Sequence, residues 1–337
     1  MLKLGMLGAG RIGRLHGNNI AKFISGATLE AIADPYLTED AREWAKGLGV
    51  QKIYTDPAKI FTDPEIDAVL ICSSTDTHSE FLMKAAAAKK HIFCEKPIDL
   101  DTTKIKEAIK AAEQANIKLM VGFVRRFDRD HAAVGDIVKS GKLGKPHIVK
   151  ITSRDPEAPP LEYVKISGGI FSDMMIHDFD MARFLVGSEV TEVTTIGNIC
   201  INPDIAQYDD VDTAIVSLKF ENGAIGVIDN SRAARYGYDQ RVEVHCDKGS
   251  VADENNLENH VKISTADGVE IAKPTWFFLE RYNDAFVTEL QDFVDAVLND
   301  TEVPTNGFDG LMSVYIAQAA KMSLDQKRTI LISELTH

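Results

Sequence analysis

The sequence is poor in cysteine and has no two cysteines at short spacing. Its 337 residues include four, at Cys72, Cys94, Cys200 and Cys246. A structural zinc site or a disulfide scaffold requires closely grouped cysteines, so we expect neither a metal nor a disulfide. Cys72 and Cys94 stand in apolar, strand-like runs, where cysteine usually fills small spaces in a core. This usage fits a reducing compartment.

The sequence also contains no long apolar run. No stretch of about 18 apolar residues is present, so a membrane-spanning helix is not expected. The chain starts Met1-Leu2-Lys3 and enters a strand pattern at once, without the basic and then apolar segments of a leader peptide. We therefore expect a cytoplasmic protein without a membrane partner.

The sequence has fewer basic than acidic residues. The chain has 37 Lys and Arg against 51 Asp and Glu, a net charge of −14. Such an acidic surface repels phosphate backbones, so a nucleic-acid partner is disfavoured. With 45% apolar and 26% charged residues the composition is that of a globular protein, and a chain of this length favours two domains.

A glycine-rich turn follows the first strand-like run of the chain. Its sequence is Gly8-Ala9-Gly10-Arg11-Ile12-Gly13, with a helix-like segment after it. In a dinucleotide-binding fold Gly8 permits the tight turn, Gly10 lets the backbone approach the pyrophosphate, and Gly13 lets the helix lie close to the strand. Arg11 and Ile12 stand at the helix start, where backbone amides face the phosphates. By itself, such a motif also marks ordinary turns.

An acidic residue stands at a suitable distance from this motif. The strand-like run Ala27–Ala33 ends at Asp34, which is 34 − 13 = 21 residues beyond Gly13, close to the spacing of about 20 in dinucleotide-binding folds. Asp34 would accept hydrogen bonds from the adenosine ribose and repel a 2′-phosphate, so the predicted cofactor is NAD rather than NADP. The alternative is that Asp34-Pro35 only opens a turn.

Strand-like and helix-like segments alternate through residues 1–122, which predicts a doubly wound parallel sheet. Ala68–Cys72 is nearly continuous in apolar residues, as in a sheet covered on both faces. The polar loop after it carries Ser73, Thr75 and His78 at the carboxyl edge, where ligands of such sheets bind. We assign residues 1–122 to an NAD-binding Rossmann domain and place these three side chains in its cofactor site.

The pattern changes in residues 123–337. Strand-like runs follow one another through tight turns, and Glu221-Asn222-Gly223 between two of them is a strong hairpin signal. This half is therefore predicted to be an α+β domain with an antiparallel or mixed sheet. Its main helices are expected at about Ser172–Leu185, Arg281–Leu298 and Phe308–Leu324.

Three side chains suit proton transfer. Glu95-Lys96-Pro97 places Lys96 at the end of a strand, on the edge expected to hold the nicotinamide, so Glu95 and Lys96 join the predicted cofactor contacts. Asp173 and His177 are four residues apart (177 − 173 = 4), where a helix would carry both on one face. Together they suit removal of a hydroxyl proton while hydride leaves its carbon. Taken one at a time, Lys96 would be a solvated lysine, Asp173 a helix cap and His177 a structural histidine.

These features give the chain a resemblance to the glucose–fructose oxidoreductase/inositol dehydrogenase family, most closely to its inositol 2-dehydrogenases. The motifs that carry it are Gly8 to Gly13, Glu95-Lys96-Pro97, Gly122-Phe123-Val124-Arg125-Arg126-Phe127, Gly168-Gly169 with Asp173 and His177, and the segment Trp276 to Tyr282. The resemblance implies a Rossmann domain followed by an α+β substrate-binding domain with a large, open, mainly antiparallel sheet. It further implies that the outer sheet face is buried in a homotetramer, and that Lys96, Asp173 and His177 catalyse NAD-linked oxidation of a cyclic polyol.

The resemblance also implies four substrate-facing residues around the catalytic three, namely Arg125, Asp155, Asp180 and Tyr236. Two positions depart from the pattern of inositol enzymes. Met174 stands where a threonine hydroxyl is frequent, and Asp155 stands where an asparagine is common. Both departures alter the recognition of substrate hydroxyls.

Our hypothesis for the reaction is that myo-inositol is oxidised to 2-keto-myo-inositol. His177 takes the hydroxyl proton, Lys96 donates a hydrogen bond to the developing alkoxide, and Asp173 orients the hydroxyl and the base. Three alternatives stay open at this point. They are another inositol isomer or an aldose as substrate, a catalytically silent NAD-binding regulator, and a phosphosugar or nucleotide-sugar substrate held by Arg125, Arg126 and Arg154.

Overall fold

The structure is a computed structural model that describes residues 1–336. Its strands, in chain order, are β1 Leu2–Leu7, β2 Ala27–Ala33, β3 Lys52–Tyr54, β4 Ala68–Ile71, β5 His91–Glu95, β6 Leu119–Gly122, β7 Pro146–Arg154, β8 Val190–Asn198, β9 Thr213–Phe220, β10 Ile225–Ser231, β11 Asp239–Cys246, β12 Gly249–Asp253, β13 Lys262–Thr265, β14 Gly268–Ile271 and β15 Ile330–Leu331. Its helices are α1 Arg11–Lys22, α2 Glu39–Gly47, α3 Ala58–Thr62, α4 His78–Ala87, α5 Thr102–Ala115, α6 Arg129–Lys139, α7 Leu161–Ser167, α8 Gly169–Asp173, α9 Ile176–Val186, α10 Phe278–Arg281, α11 Asn283–Leu298 and α12 Gly307–Gln326. Among these residues, no helix is both long and apolar enough to cross a membrane.

The chain forms two compact units, each made of two separate segments. The first unit comprises residues 1–127 and 284–312, and the second comprises residues 128–283 and 313–336. The boundary expected from the sequence, at residue 122, coincides with the end of β6. The segment 284–312 nevertheless belongs with the first sheet. Phe293 of α11 packs edge-on against Phe93 of β5, and the amide of Val121 donates to the carbonyl of Thr305.

The first unit is built on a six-stranded sheet in the order β3-β2-β1-β4-β5-β6, with every neighbouring pair parallel. This is the strand order of the Rossmann fold, so the predicted doubly wound sheet is confirmed. All four residues of β4 are buried, as the apolar run indicated. Helix α5 begins where the Asp101 side chain accepts the amide of Thr103, and it ends at Asn116 in the left-handed conformation.

The second unit is built on a seven-stranded sheet in the order β12-β11-β7-β10-β9-β8-β15. Strands β7 and β10 run parallel, and the other neighbouring strands run antiparallel. The predicted hairpin between β9 and β10 is confirmed, with Gly223 at φ +90°, a conformation that favours glycine. The second half is thus the mixed, mainly antiparallel sheet that the resemblance implied.

The two faces of this sheet differ in exposure in the described residues. Side chains alternate along β9, so Val216 and Leu218 are buried while Ile215 points to the opposite face. Helices α6 and α9 pack on the buried side, against strands β7, β11 and β12. On the other face the strand registers form two exposed isoleucine pairs, Ile148 with Ile225 and Ile196 with Ile215.

The prediction of one continuous helix at about Ser172–Leu185 is wrong, because the helical structure is interrupted between α8 and α9. The amides of Met174 and Met175 both donate to the carbonyl of Ile170, at 3.1 and 2.8 Å, and this closes α8. Helix α9 then starts afresh from Met175. Asp173 therefore ends one helix and His177 lies in the first turn of the next, so no single helix carries both.

Candidate active site

The glycine turn of the first unit has a different steric requirement at each glycine. Gly8 adopts φ +97°, and a Cβ there would lie 2.6 Å from the carbonyl oxygen of Cys72. A Cβ at Gly13 would lie 2.1 Å from the carbonyl oxygen of Gly8, so α1 approaches β1 as closely as its backbone allows. A Cβ at Gly10 would meet no atom within 4 Å. Gly10 thus borders open space at the N-terminus of α1, which is where a pyrophosphate needs access.

Asp34 lies beside this turn, at the end of β2. Its Oδ2 accepts the amide of Ala9 at 2.8 Å and its Oδ1 accepts the amide of Tyr36 at 2.8 Å. The carboxylate lines a cavity of about 490 Å³ together with Ala9, Gly10, Arg11, Arg14, Tyr36, Leu37, Thr38 and Ala41. A fixed acceptor next to an open glycine turn matches the requirements of a nucleotide ribose and its pyrophosphate.

The loop after β4 is tied to the loop after β5 by His78. This side chain is buried, and its Nδ1 lies 2.8 Å from the carbonyl oxygen of Pro97 while its Nε2 lies 3.0 Å from that of Ser73. Ser73 also shares a hydroxyl contact of 2.6 Å with Thr77. His78 therefore supports both loops from inside, whereas Ser73 and Thr75 are partly exposed at the sheet edge.

Lys96 follows β5 and is half-buried, and the Lys96–Pro97 peptide bond is cis. The preceding carboxylate of Glu95 lies 2.7 Å from Nε2 of the buried His16 on α1. A Cβ at Gly122 would come within 3.1 Å of that carboxylate, so the glycine leaves room for it. Sequence reasoning missed His16, although its position one turn beyond Gly13 on the buried side of α1 was a usable signal.

The buried thiols near this edge are poor nucleophiles. Burial raises the pKa of the Cys72 thiol, and the nearby Glu95 carboxylate raises it further. Burial likewise raises the pKa of Cys94. Their interpretation as core residues agrees with this chemistry.

In the second unit, Asp173 and His177 are both half-buried on either side of the helix break. The Asp173 carboxylate accepts a hydrogen bond from the hydroxyl of Tyr163 at 2.8 Å. Its other oxygen lies 3.3 Å from Nη2 of Arg232. Neither Tyr163 nor Arg232 was found from the sequence, because each approaches Asp173 from a different element.

The four residues expected to face a substrate occupy different settings. Arg125 is buried in a 3₁₀ turn at the end of the first unit's first segment, and Asp180 is buried in α9. Asp155 is half-buried just after β7. Tyr236 is more exposed, and its hydroxyl donates to Asp239 at 2.5 Å and accepts from Arg154 at 3.3 Å. Burial, followed by the contact with Asp239, raises the pKa of the Tyr236 hydroxyl.

The second unit also contains a buried cluster of side chains that could ligate a metal ion. Ligand atoms of Asp128, His131 and Asp253 lie within 4.8 Å of one another. Arg281 already donates to both carboxylates, to Asp128 through Nη1 and Nη2 and to Asp253 at 3.4 Å. We interpret the cluster as an ion-pair anchor for the segment Trp276 to Tyr282, which is one of the motifs that carry the family resemblance.

Comparison with known proteins places this geometry in a family. Residues 2–123 match the oxidoreductase family with an NAD-binding Rossmann fold, and residues 131–252 match the GFO/IDH/MocA C-terminal domain. The chain is 46% identical over 335 residues to myo-inositol 2-dehydrogenase of Thermotoga maritima, covering 99% of both chains. The chain belongs to the GFO/IDH/MocA family.

Two further relatives match nearly the whole chain, one by sequence and one by fold. The scyllo-inositol 2-dehydrogenase (NAD(+)) of Bacillus subtilis is 38% identical, with 96% of this chain and 94% of that protein covered. The solved structure of scyllo-inositol dehydrogenase from Lactobacillus casei, with bound NAD(H) and scyllo-inositol, has a TM-score of 0.91 at 30% identity and covers 99% of both chains. The predicted family, the two-part fold and the NAD-dependent oxidoreductase class are confirmed by these matches.

Proposed function

We propose that the chain is an inositol 2-dehydrogenase that oxidises myo-inositol to 2-keto-myo-inositol. The observation that carries the proposal is the 46% identity, over 99% of both chains, to a protein named myo-inositol 2-dehydrogenase. The motif residues Lys96, Asp173 and His177 are all present in this chain. A cyclic polyol offers secondary hydroxyls, whose oxidation requires removal of a proton and a hydride.

Each motif residue has one role in the proposed reaction. His177 accepts the hydroxyl proton, Lys96 donates a hydrogen bond to the developing alkoxide, and Asp173 orients the hydroxyl and the base. A bound NAD⁺ would supply the acceptor for the hydride that leaves the carbon bearing this hydroxyl. The products are a ketone, NADH and a proton held by His177. Arg125, Asp155, Asp180 and Tyr236 complete the proposed substrate contacts.

The proposed cofactor site is the open glycine turn and its surroundings. Amides at the start of α1 hold the pyrophosphate, and Asp34 accepts hydrogen bonds from the adenosine ribose. The carboxylate is already fixed by two backbone amides, which supports a preformed ribose acceptor. The remaining proposed contacts are Arg11, Ile12, Ser73, Thr75, Glu95 and Lys96. His78 acts indirectly, because its ring contacts the carbonyls of Ser73 and Pro97 and so supports both loops.

The preferred isomer is the finer part of the proposal. Relatives named for myo-inositol and for scyllo-inositol both cover nearly the whole chain, at 46% and 38% identity. The higher identity supports myo-inositol. Met174 and Asp155 stand where inositol enzymes commonly have a threonine and an asparagine. At these two positions the chain offers different contacts to the substrate hydroxyls.

We further propose a homotetramer that functions in the cytoplasm. Two cross-strand pairs of exposed isoleucines, Ile148 with Ile225 and Ile196 with Ile215, lie on the open sheet face. An apolar surface of this kind favours burial against another subunit. Residues 1–122 then bind the cofactor, and residues from 123 onward supply substrate and subunit contacts. Light scattering on the purified protein measures the subunit number.

The proposal is tested by the formation of NADH, followed at 340 nm, with a panel of inositol isomers and aldoses. The same panel is run with NADP⁺. We expect myo-inositol with NAD⁺ to have the highest kcat/KM. A higher value for scyllo-inositol or an aldose would overturn the isomer, and no NADH with any compound would favour a silent NAD-binding regulator.

Variants of the motif residues test the assigned roles. In Lys96→Ala and His177→Ala we expect kcat to fall roughly 10²- to 10⁴-fold, the usual range for acid–base groups. The affinity for NAD⁺, measured by calorimetry, should stay close to the wild-type value. Wild-type turnover in either variant would refute that residue's role.

A further inference from the structure

The carboxylate of Asp173 is held on two sides by residues from two other elements. The hydroxyl of Tyr163, in α7, donates to Oδ1 at 2.8 Å. The guanidinium of Arg232, which directly follows β10, lies against Oδ2 with Nη1 at 3.4 Å and Nη2 at 3.3 Å. Two donors on opposite oxygens leave little freedom for rotation of the carboxylate.

Arg232 is among the largest fully buried side chains of the chain, with 1% of its surface exposed. A buried guanidinium is costly unless an anion lies next to it. Two carboxylates supply that anion, Asp173 in direct contact and Asp210 as a further neighbouring charge. The buried arginine therefore pairs with the carboxylate it touches.

Asp210 fixes the other end of the same short helix. Its two carboxylate oxygens accept the amide of Ile170 at 3.0 and 3.1 Å, at the start of α8. A Cβ at Gly169 would lie 2.8 Å from Asp210 Oδ1, so the glycine makes this approach feasible. Helix α8 is thus held at its first turn by Asp210 and at its last residue by Arg232 and Tyr163.

We propose that Arg232 and Tyr163 are positioning residues for the dehydrogenase reaction. They hold the Asp173 carboxylate in one orientation, with a hydroxyl donating to one oxygen and a guanidinium against the other. This inference rests on the proposed function, in which Asp173 is catalytic. A purely structural role would stabilise α8 without affecting the chemistry of Asp173.

The test is a double-mutant cycle on the full-length protein. Arg232→Lys and Tyr163→Phe are each made in the wild type and in Asp173→Asn, and kcat/KM for NADH formation from myo-inositol is measured in all backgrounds. The matched control is Arg183→Lys. Arg183 is also buried and makes a bidentate pair with Glu189 at 2.7 Å, on the far end of α9 from His177.

In the wild-type background we expect kcat/KM to fall roughly 10- to 100-fold in Arg232→Lys, the equivalent of one or two lost charge-assisted hydrogen bonds. Tyr163→Phe should lose about 3- to 10-fold. Neither change should lower kcat/KM further once Asp173 is asparagine, because both act through that carboxylate. Arg183→Lys should lower the Tm and leave kcat/KM close to the wild-type value.

The outcomes separate this inference from the proposed function. If Asp173→Asn keeps wild-type turnover, the catalytic role of Asp173 fails and the proposed function must be revised. If Asp173→Asn is impaired but the other two changes lower kcat/KM equally in both backgrounds, the positioning role is overturned. A loss of kcat/KM in Arg183→Lys as large as that in Arg232→Lys would also overturn it. Should Arg232→Lys fail to fold, the Tyr163→Phe cycle decides alone.

Discussion

The Nε2 atom of His16 lies 2.7 Å from Oε1 of Glu95, and the imidazole is fully buried. Since a carboxylate only accepts, His16 donates through Nε2. His16 belongs to the helix that starts at the glycine turn, while Glu95 immediately precedes Lys96. The pair therefore joins the proposed cofactor helix to the proposed catalytic strand within the first unit.

Replacing His16 by Leu should leave the Glu95 carboxylate without this donor. We expect the free energy of unfolding to fall by about 1–3 kcal/mol, the usual cost of a buried polar group that loses its partner. We also expect kcat to fall, because Glu95 adjoins Lys96. Urea denaturation and NADH formation measure the two effects.

The control for this change is His147→Leu. His147 makes the same type of contact, with Nε2 at 2.7 Å from Oδ1 of Asp247, but both side chains are about half exposed. Water screens such a pair, so its loss should change stability far less. Equal destabilisation by the two substitutions would show that burial of the His16 pair is not what matters.

Alanine substitutions at Gly10 and Gly13 should separate folding from cofactor binding. In Gly13→Ala the new Cβ would lie 2.1 Å from a backbone oxygen, so we expect a clear loss of Tm together with loss of NAD binding. In Gly10→Ala the backbone is already at φ −73° and no atom lies within 4 Å, so the Tm should not change. The methyl group would nevertheless occupy the approach of the pyrophosphate, and the Kd for NAD⁺ should rise roughly tenfold or more.

Differential scanning fluorimetry and titration calorimetry measure these two properties on the same samples. Wild-type affinity for NAD⁺ in Gly10→Ala would contradict the position assigned to the pyrophosphate. An unchanged Tm in Gly13→Ala would contradict the close contact between α1 and β1.

Features that depend on local periodicity were predictable from the sequence. The glycine turn and the buried strand β4 are each encoded within a few adjacent residues, and so is the hairpin at Asn222-Gly223. The structure confirms these elements because the hydrophobic pattern and the turn residues require the same local conformation.

Features that depend on distant contacts were not predictable. The break after Asp173 arises when two consecutive amides bond to Ile170, and Met174-Met175 carries no glycine or proline to signal it. Arg232 is 59 residues from Asp173 in the sequence, so only the folded sheet brings them together. The packing of α11 on the first sheet, through Phe293 and Phe93, is likewise invisible to local patterns.

Removing the charge of Asp34 should weaken the discrimination against NADP⁺. Asp34→Asn keeps an oxygen that accepts a backbone amide but loses the negative charge that repels a 2′-phosphate. We expect the ratio of kcat/KM for NADP⁺ to that for NAD⁺ to rise roughly 10- to 100-fold, as for loss of a charged hydrogen-bond acceptor. Steady-state kinetics with both cofactors measure the ratio.

Asp267→Asn is the matched control for this substitution. Asp267 is an exposed carboxylate in the turn before β14 and does not line the cavity beside Asp34 in the described structure. Its replacement should leave the cofactor ratio unchanged. A similar rise in both variants would mean that general acidity, and not the position of Asp34, selects the cofactor.

Asp210 and Asp212 should contribute to stability with opposite dependence on pH. Burial raises the pKa of Asp212, but the amides of Cys200, Ile201 and Asn202 outweigh it, and the pKa lies below its usual value. Ionised Asp212 therefore stabilises the folded state above the ordinary aspartate pKa of about 3.9, and this contribution is lost as the pH falls through the lower folded value.

Asp210 behaves in the opposite way. Burial raises its pKa above the usual value, and the amide of Ile170 offsets this only in part. Its ionisation therefore costs stability as the pH rises from the ordinary aspartate pKa through the higher folded value. Because the two residues are near neighbours in sequence, comparing them tests how burial and backbone amides together set the pKa of an aspartate.

We expect Asp212→Asn to lower the free energy of unfolding at pH 7 by about 1–3 kcal/mol, since a buried carboxylate with three amide donors is replaced by a neutral amide. This difference from the wild type should shrink toward acid pH. For Asp210→Asn the stability relative to the wild type should instead improve as the pH rises, because asparagine cannot ionise. Urea denaturation of both variants from about pH 3.5 to pH 7 measures the two slopes, within the range in which aspartates titrate. Slopes of the same sign would mean that backbone amides do not control the ionisation of Asp212.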